Sequence, residues 1–373
     1  MPPLFDVIIA GLGAMGSAAA FHLSRRGQRV LGLDRFSPPH TLGSSHGQTR
    51  IIREAYFEHP LYVPLVQRAY ELWTELEAGD TGSLLRKTGG LMIGRPESAV
   101  PTGAQSSAKK HGLRHEVLTA VEVARHFPAF RLAPEMIAVW EPRAGILFPE
   151  KCVAAHLAGA KESGAVIQTE EPVMHWDATT RGVRVTTSKG EYHTGRLLLA
   201  AGSWLPSLTP ELQLPVTIER QVQYWFGPRE NASDFSPDRC PIHIWDYEDG
   251  HHFYGFPDLG EGIKVACHHE GSVGDPNHLD REVQPTEVAK MREILGRFLP
   301  NANGPLRATA VCMYTNMPDY HFLIDWHPAA SNVLIASPCS GHGFKFSAAV
   351  GEVVADLLTT GRTRFDLSLF RMR

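Results

Sequence analysis

The sequence is poor in cysteine and lacks the long apolar runs of membrane proteins. Its 373 residues include five scattered cysteines without a CxxC pair, namely Cys152, Cys240, Cys267, Cys312 and Cys339. This odd, scattered set argues against a disulfide framework and a zinc site, so we expect no metal. No apolar stretch reaches the roughly 20 residues of a membrane-spanning helix, and the N-terminus has no signal-peptide pattern. We therefore expect a soluble, cytoplasmic protein without membrane partners.

Neither sign of charge dominates the chain. Lys and Arg total 36 and Asp and Glu total 40, which gives a net charge of -4. A balance this even implies no general attraction to nucleic acid, so the expected partner is a small molecule. The sequence has no internal repeat, low-complexity tract or Gly/Ser linker. Since the chain is longer than one ordinary domain, we expect two domains that are interleaved in sequence.

The N-terminal residues follow a strand, turn, helix and strand pattern. Residues 5–10 are apolar, the turn Gly-Leu-Gly-Ala-Met-Gly follows at 11–16, and an Ala-rich helix is predicted over 17–26. A second apolar strand at 30–33 ends on Asp34, an acid 18 residues beyond the last glycine. This spacing is typical of a dinucleotide-binding unit.

Each glycine of the turn has a separate physical task. Gly11 allows the tight turn, Gly13 lets the backbone approach a pyrophosphate, and Gly16 lets the helix pack closely on the strand. The helix N-terminus would face the phosphates, and Asp34 could accept hydrogen bonds from ribose hydroxyls. FAD and NAD both use this unit, so the unit alone does not choose between them.

Five further stretches, taken in order, carry a resemblance over essentially the whole chain. They are Gly-Ser-Ser-His-Gly-Gln-Thr-Arg-Ile-Ile-Arg-Glu-Ala-Tyr at 43–56, Tyr-Gly-Phe-Pro at 254–257, Gly-Ile-Lys at 262–264, Ala-Val-Cys-Met-Tyr-Thr at 310–315 and Ser-Gly-His-Gly-Phe-Lys-Phe at 340–346. Together with the N-terminal unit they resemble the monomeric sarcosine oxidase and N-methyltryptophan oxidase family of FAD-dependent amine oxidases. The resemblance also implies a monomer.

The resemblance implies a mixed α/β fold of the glutathione-reductase and p-hydroxybenzoate-hydroxylase type. A Rossmann-type FAD-binding domain would be interleaved with a substrate domain on a mostly antiparallel sheet. The FAD-binding domain is expected at 1–85, 145–215 and 310–373, and the substrate domain at 86–144 and 216–309.

Two other regions of the sequence agree with this architecture. The apolar run at 195–204 ends in small residues and suits a strand of the nucleotide sheet. Residues 331–358 indicate a strand, a glycine-bearing loop and a helix that begins near Phe346 and points its N-terminus at the flavin.

The resemblance also implies which residues hold the cofactor. They are Gly11, Gly13, Gly16, Asp34, Arg35, Ser44, Thr49, Arg50, Ile51, Val173, Ala201, Gly202, Trp204, Cys312, Met313, Gly341, Gly343, Phe344 and Lys345. Val173 would touch the adenine, and Cys312 would carry FAD through a thioether to the flavin 8-alpha carbon. Without the resemblance, Cys312 is interpreted as an ordinary buried thiol.

Arg53 and Lys345 would form a clamp for a substrate carboxylate. A forked guanidinium gives two parallel bonds to a carboxylate, and an ammonium adds a point charge. The alternative for Arg53 is a structural ion pair with Glu54 or Glu58. The alternative for Lys345 is a solvated cation at a helix start, where it would oppose the helix dipole.

Lys264 and His268 match family residues near the flavin. Lys264 would lie by flavin N5 and assist the reduction of O2, since a fixed positive charge stabilises a superoxide-like anion. Its alternative is an outward-facing lysine on an edge strand. His268, as a neutral imidazole, could favour the unprotonated amine.

Four other residues complete the expected active site. Tyr254 and Tyr314 would line the pocket over the ring, although core aromatics are the alternative. Arg50 and His46 match family residues on the opposite face of the flavin, where positive charge favours the anionic reduced ring.

The sequence departs from the family pattern in two places. The run Ser-Pro-Cys at 337–339 replaces an apolar aromatic, and Phe-Glu-His-Pro at 57–60 is bulkier than a glycine-rich loop. Because of both departures, the sequence does not determine which side chain the substrate carries.

The expected function is oxidation of the N-methyl C–N bond of a secondary-amine amino acid by O2. The products would be the amino acid, formaldehyde and H2O2. Alternatives are an FAD-dependent oxidase or dehydrogenase of another amino acid such as pipecolate, proline or glycine, a pyridine-nucleotide enzyme, and a flavin-binding protein without activity.

Overall fold

The computed structural model describes residues 5–79, 82–248, 250–337 and 339–372. Within these ranges the helices are α1 (Ala14–Arg25), α2 (Tyr62–Glu77), α3 (Ala99–His111), α4 (Ala120–His126), α5 (Pro149–Glu162), α6 (Leu205–Leu208), α7 (Pro285–Phe298) and α8 (Ser347–Thr360). No helix in this part of the chain combines the length and the apolar character that crossing a bilayer requires.

The strands of the described residues are, in chain order, β1 (Phe5–Ala10), β2 (Val30–Leu33), β3 (Arg50–Ile52), β4 (Leu85–Lys87), β5 (Gly90–Gly94), β6 (Glu116–Thr119), β7 (Ile137–Glu141), β8 (Gly145–Leu147), β9 (Val166–Gln168), β10 (Val173–Thr179), β11 (Gly182–Thr187), β12 (Glu191–Leu199), β13 (Thr217–Phe226), β14 (Ile242–Glu248), β15 (His251–Asp258), β16 (Ile263–His268), β17 (Leu306–Asn316), β18 (Ile324–His327) and β19 (Ala330–Ala336).

The first sheet is built around β1. Its order is β10-β11-β12-β1-β2-β9, with β19 paired to β12 and β18 paired to β19. The strands β12, β1, β2 and β9 run parallel, and β19 joins β12 in parallel. Because such strands are buried on both faces, β1 and β2 are almost continuously apolar.

Both strands of the N-terminal unit lie where the sequence predicts them. The helix between them begins at Ala14, three residues before the predicted start. The strand predicted over 195–204 was too long, because β12 ends at Leu199. The chain then turns through a short 3-10 helix at Gly202–Trp204, and Gly202 adopts a φ of +55° that an extended strand does not allow.

The second sheet has the order β17-β13-β16-β15-β14-β5-β7-β6. Neighbouring strands run antiparallel except for β14 and β5, which confirms a mostly antiparallel sheet beside the nucleotide sheet. Its apolar face packs against α7, where Trp245 and Phe253 stack 5.3 Å apart beside Phe298. A third sheet, β3-β8-β4, is small.

The expected domain limits remain predictions, and two observations bear on them. The limit at 310 falls inside β17, whose full length pairs with β13 of the second sheet. Cys312 therefore reaches the site from the substrate-side sheet. Residues 1–4 and 373, which the expected FAD-binding domain includes, lie outside the described residues.

Candidate active site

One cavity of about 770 Å³ extends from the carboxyl ends of β1 and β2 to the loop before α8. Most of the predicted site residues line it, namely Gly11, Gly13, Asp34, Arg35, Ser44, Arg50, Ile51, Arg53, Val173, Ala201, Gly202, Trp204, Tyr254, His268, Met313, Tyr314, Gly341, Gly343, Phe344 and Lys345. Gly16, His46, Thr49, Lys264 and Cys312 are not among the residues that line it. The topology thus gathers residues from across the sequence into one continuous space.

The dinucleotide end of the cavity depends on two glycines. Gly11 has a φ of +96°, and a Cβ there would lie 2.5 Å from the Ala200 carbonyl oxygen. A Cβ on Gly16 would lie 1.8 Å from the Gly11 carbonyl oxygen. Neither position accepts a larger residue unless the backbone moves, so the turn keeps its close approach to β12.

Asp34 closes this end of the cavity. Its carboxylate accepts hydrogen bonds from the backbone N–H of Leu12 at 2.7 Å and of Phe36 at 2.8 Å. Burial raises the pKa of Asp34, and these two N–H groups act in the opposite direction. The carboxylate therefore orients the glycine turn as well as facing the cavity.

Cys312 is 1% exposed and lies beside Arg50. Its Sγ is 3.5 Å from Arg50 Nη2 and 3.4 Å from the Ser44 carbonyl oxygen. The ordinary buried thiol of the sequence interpretation thus has a charged neighbour.

Lys264 is 2% exposed and belongs to β16, which lies between β13 and β15. The interpretation as an edge lysine was therefore wrong. Its Nζ donates to the carbonyl oxygens of Gly47 at 2.6 Å and Thr49 at 3.0 Å. Burial, with a contribution from Arg50, lowers the pKa of Lys264 well below its usual value.

Arg53 is also 2% exposed, and its guanidinium lies over the rings of Tyr56 and Phe57 at 4.2 and 4.4 Å. Its Nη2 donates to both carboxylate oxygens of Glu58, at 2.8 and 2.6 Å. The ion pair with Glu58 is thus confirmed. The pair with Glu54 was wrong, because the carboxylate of Glu54 lies 3.3 Å from Arg143 instead.

Lys345 lies in a short 3-10 helix, Phe344–Phe346, that leads into α8. It is 6% exposed, so the interpretation as a solvated cation was wrong. Its Nζ donates to the His342 carbonyl oxygen at 2.7 Å and to the Tyr56 hydroxyl at 3.4 Å. Burial, aided by Arg53, lowers the pKa of Lys345 to about 7. Arg53 and Lys345 are therefore two buried basic groups that both lie over the ring of Tyr56, with Lys345 Nζ 5.1 Å from its centre.

Tyr56 and His342 support this pair, although the sequence gave neither of them a role. The Tyr56 hydroxyl lies 2.5 Å from His342 Nδ1, and His342 Nε2 lies 2.8 Å from the Tyr320 carbonyl oxygen. Since a carbonyl only accepts, Nε2 carries the hydrogen and Nδ1 accepts from Tyr56. The ring orientation and the hydroxyl direction are both fixed by these bonds.

His268 and two tyrosines line the cavity from the second sheet. His268 Nδ1 lies 3.1 Å from the Tyr314 hydroxyl, and the ring of Tyr254 meets His268 edge-on at 6.1 Å. Burial, with a contribution from His269, lowers the pKa of His268 well below 6.5. The imidazole is therefore neutral.

Comparison with known proteins decides the family. Residues 6–357 match the profile described as FAD dependent oxidoreductase, DAO. The chain belongs to this family. It is 46% identical over 377 residues to a monomeric sarcosine oxidase of Streptomyces avermitilis, with 100% of this chain and 98% of that protein covered. It is 35% identical to an N-methyl-L-tryptophan oxidase of Salmonella typhimurium, with 99% and 98% covered.

Solved structures with lower sequence identity share the fold. An L-proline dehydrogenase from P. horikoshii superposes with a TM-score of 0.86 at 22% identity, covering 100% of this chain and 97% of that one. NikD, an amino acid oxidase of nikkomycin biosynthesis, superposes with a TM-score of 0.84 at 23% identity, covering 99% and 97%. Both support the flavoenzyme fold expected from the sequence.

The residues present fit the FAD of this family. The glycine turn leaves no room for a Cβ at its two closest approaches, as a nucleotide cradle requires. Near Arg50, the buried His46 Nε2 and Thr49 Oγ1 have no hydrogen-bond partner among the described residues. A polar ring edge bound there would satisfy such atoms. Burial, with Arg50 and Lys264, lowers the pKa of His46 to about 3, so His46 is neutral here and does not supply the expected positive charge.

Asn277 is a cavity residue that the sequence did not reveal. Its Oδ1 accepts from Arg35 Nη1 at 3.0 Å and from Trp204 Nε1 at 2.9 Å. Asn277 lies in the loop between β16 and α7, 242 residues from Arg35. No local pattern marks a contact of this kind, because only the packing of the two sheets creates it.

Residues at both places where the sequence departs from the family pattern line the cavity. Phe57, Glu58, Ser337 and Cys339 line it, whereas Pro338 lies outside the described residues.

Proposed function

We propose that this FAD-dependent oxidoreductase is an oxidase of N-methyl amino acids. The observation that carries the proposal is the buried pair of Arg53 and Lys345, which lines the same cavity as the neutral imidazole of His268. Glu58 already offsets Arg53, so the positive charge left in this part of the cavity is that of Lys345, and the carboxylate of an amino acid would pair with it. The names of the relatives at 35–46% identity point to the same class of substrate.

Bound FAD would accept the hydride that leaves the N-methyl carbon when the C–N bond is oxidised to an imine, and would transfer the two electrons to O2. Arg53 and Lys345 bind and orient the carboxylate. His268 stays neutral and accepts a hydrogen bond from the amine, which favours the form with a free electron pair. The secondary amine R-NH-CH3, water and O2 give R-NH2, formaldehyde and H2O2.

Covalent attachment of FAD at Cys312 is part of this proposal. Its Sγ lies 3.5 Å from the guanidinium of Arg50, a residue that lines the cavity. Cys312 is buried and directly precedes Met313 and Tyr314, which line the cavity, and this position agrees with attachment at the edge of a ring.

Oxidation or dehydrogenation of another amino acid, such as pipecolate, proline or glycine, is the second candidate. The same carboxylate pair would bind these substrates, and the solved structures with this fold include a glycine oxidase and an L-proline dehydrogenase. The buried Lys264 favours the oxidase over the dehydrogenase, since a positive charge on its ammonium would assist the reduction of O2.

Anaerobic bleaching of the flavin tests the proposal. The panel comprises sarcosine, N-methyltryptophan, pipecolate, proline and glycine, with dimethylamine as the matched amine that lacks a carboxylate. We expect an N-methyl amino acid to bleach the flavin fastest and dimethylamine to act at least tenfold more slowly, because a lost charge-assisted bond costs roughly 1.5 to 3 kcal/mol. Faster bleaching by proline or glycine would move the assignment to the second candidate. A cytoplasmic location and a monomeric state remain predictions from the sequence.

A further inference from the structure

A single peptide group connects Lys264 to a carboxylate that the sequence did not mark. The carbonyl oxygen of Gly47 accepts from Lys264 Nζ at 2.6 Å. The N–H of Gln48, which belongs to the same peptide group, donates to Glu150 Oε1 at 3.0 Å. Glu150 Oε1 also accepts from the N–H of Gly47 at 2.7 Å. A cation on the oxygen and an anion on the N–H polarise the peptide in the same direction, so each bond strengthens the other.

The turn that contains this peptide has little freedom to move. Gly47 has a φ of +96°, and a Cβ there would lie 2.0 Å from Gln223 Oε1. Gln48 also has a positive φ, +68°, and its Oε1 accepts from Trp225 Nε1 at 3.1 Å. The Gln48 side chain further contacts Glu261. The peptide therefore keeps one orientation between Lys264 and the carboxylate.

Glu150 lies where a helix favours an anion. It is in the first turn of α5, directly after Pro149. The positive end of a helix stabilises a carboxylate at this place. The charge on Glu150 is thus supported from its own helix while it acts on the turn.

The positive charge on Lys264 needs a neighbouring negative charge such as that of Glu150. Burial opposes the ammonium, and so does Arg50 of β3, whereas Cys312 of β17 and Glu150 of α5 favour it. His46, on the same loop as the turn, is neutral because burial lowers its pKa to about 3. A thioether at Cys312 carries no charge. Once FAD is attached there, Glu150 would be the anion that offsets the effect of Arg50 on the ammonium of Lys264.

We propose that Glu150 is a positioning residue for Lys264, which holds the ammonium in place and charged through the peptide group between Gly47 and Gln48. The proposal rests on the oxidase function inferred above, in which the Lys264 charge assists the reaction of the reduced flavin with O2. Glu150 does not line the cavity, and its hydrogen bonds to the turn come from the N–H groups of Gly47 and Gln48.

The variant Glu150→Gln tests the charge without removing the acceptor, because its amide oxygen still accepts the two N–H groups. Glu162→Gln, at the exposed end of the same helix, is the matched control. Each flavoprotein is reduced with dithionite and mixed with O2 in a stopped-flow instrument, so no substrate is needed. We expect about tenfold slower reoxidation in Glu150→Gln and no change in Glu162→Gln. As the pH is raised, reoxidation should also slow at a lower pH in Glu150→Gln than in the wild type, because Lys264 would lose its proton more easily. Unchanged reoxidation in Glu150→Gln would overturn the proposal.

A second measurement is independent of turnover. Thermal unfolding is recorded for Glu150→Gln, Lys264→Met and the double variant, all loaded with FAD. If Glu150 acts on the ammonium, the loss of Tm caused by Glu150→Gln should shrink in the Lys264→Met background by half or more. Additive losses of Tm would show that Glu150 only holds the turn and would refute the proposal. Because neither measurement uses an amine, failure of the substrate panel would leave both results interpretable.

Discussion

The pair of Arg53 and Glu58 leads to a prediction that separates a substrate clamp from a structural ion pair. Arg53 donates both of its Nη2 hydrogen bonds to Glu58, so an incoming carboxylate must compete with a carboxylate already in place. Replacing Glu58 by Gln removes the competing charge and keeps the size of the side chain. If Arg53 binds substrate, Glu58→Gln should bind a carboxylate more tightly than the wild type.

The contacts of Glu58 indicate how large the change in carboxylate affinity should be. A charge-assisted hydrogen bond contributes roughly 1.5 to 3 kcal/mol. Gln at this position keeps one neutral acceptor for Arg53, so about half of the free energy with which the side chain competes for Arg53 should be lost. A gain near 1.4 kcal/mol corresponds to about a tenfold lower Kd. The free protein should become less stable. Breaking a fully buried pair costs about 3 to 5 kcal/mol, and the Glu58 side chain is 16% exposed, which points to the lower end.

The pH range of the pair follows from its charges. Burial alone would raise the pKa of Glu58, but Arg53, His342 and Lys345 bring it below 4.5. A carboxyl group whose pKa is lower in the folded state contributes stability above its unfolded pKa. This stabilisation is lost as the pH falls below about 4.5 and through the pKa of Glu58 in the folded state. At pH 7 the ion pair therefore contributes its full stabilisation.

Titration with methylthioacetate, followed by flavin absorbance, measures this effect, since the ligand has the carboxylate but is not oxidised. Glu58→Gln should show a Kd about tenfold lower than the wild type, a lower Tm without ligand and a larger rise of Tm when ligand is added. Glu71→Gln, whose side chain is 61% exposed and pairs with Arg68, is the control. An equal or higher Kd in Glu58→Gln would refute the reasoning, because Glu58 would then hold Arg53 in its binding position.

Four further predictions follow from the same site. After acid precipitation the yellow colour should stay in the wild-type pellet and move to the supernatant in Cys312→Ala, since attachment requires the thiol. Lys264→Met should slow reoxidation by O2 about a hundredfold while anaerobic reduction by substrate changes little, as stopped-flow traces would record. Since burial, with Arg53, lowers the pKa of Lys345 to about 7, the Kd of methylthioacetate should rise toward tenfold per pH unit above pH 7, and Lys345→Arg should flatten that profile. Gly16→Ala should yield protein without flavin absorbance, because its Cβ would lie 1.8 Å from the Gly11 carbonyl oxygen.

The sequence by itself determined the local parts of this protein. The strand at Phe5–Ala10, the glycine turn and Asp34 follow from hydrophobic pattern and from φ values that only glycine adopts readily, so they could be located without a structure. The order of the motifs similarly indicated the family and most residues of the cavity wall. These features are local because each depends on a few neighbouring residues.

The tertiary structure decided everything that depends on distant partners. Whether Arg53 pairs with Glu54 or Glu58, and whether Lys264 faces solvent or the interior, could not be read from spacing, since strand order and burial fix both outcomes. Glu150 and Lys264 are far apart in sequence, and the turn at Gly47 joins them only because α5 packs beneath it. Charge interactions of this kind are set by distance and by the exclusion of water, and both arise only when the sheets and helices have packed.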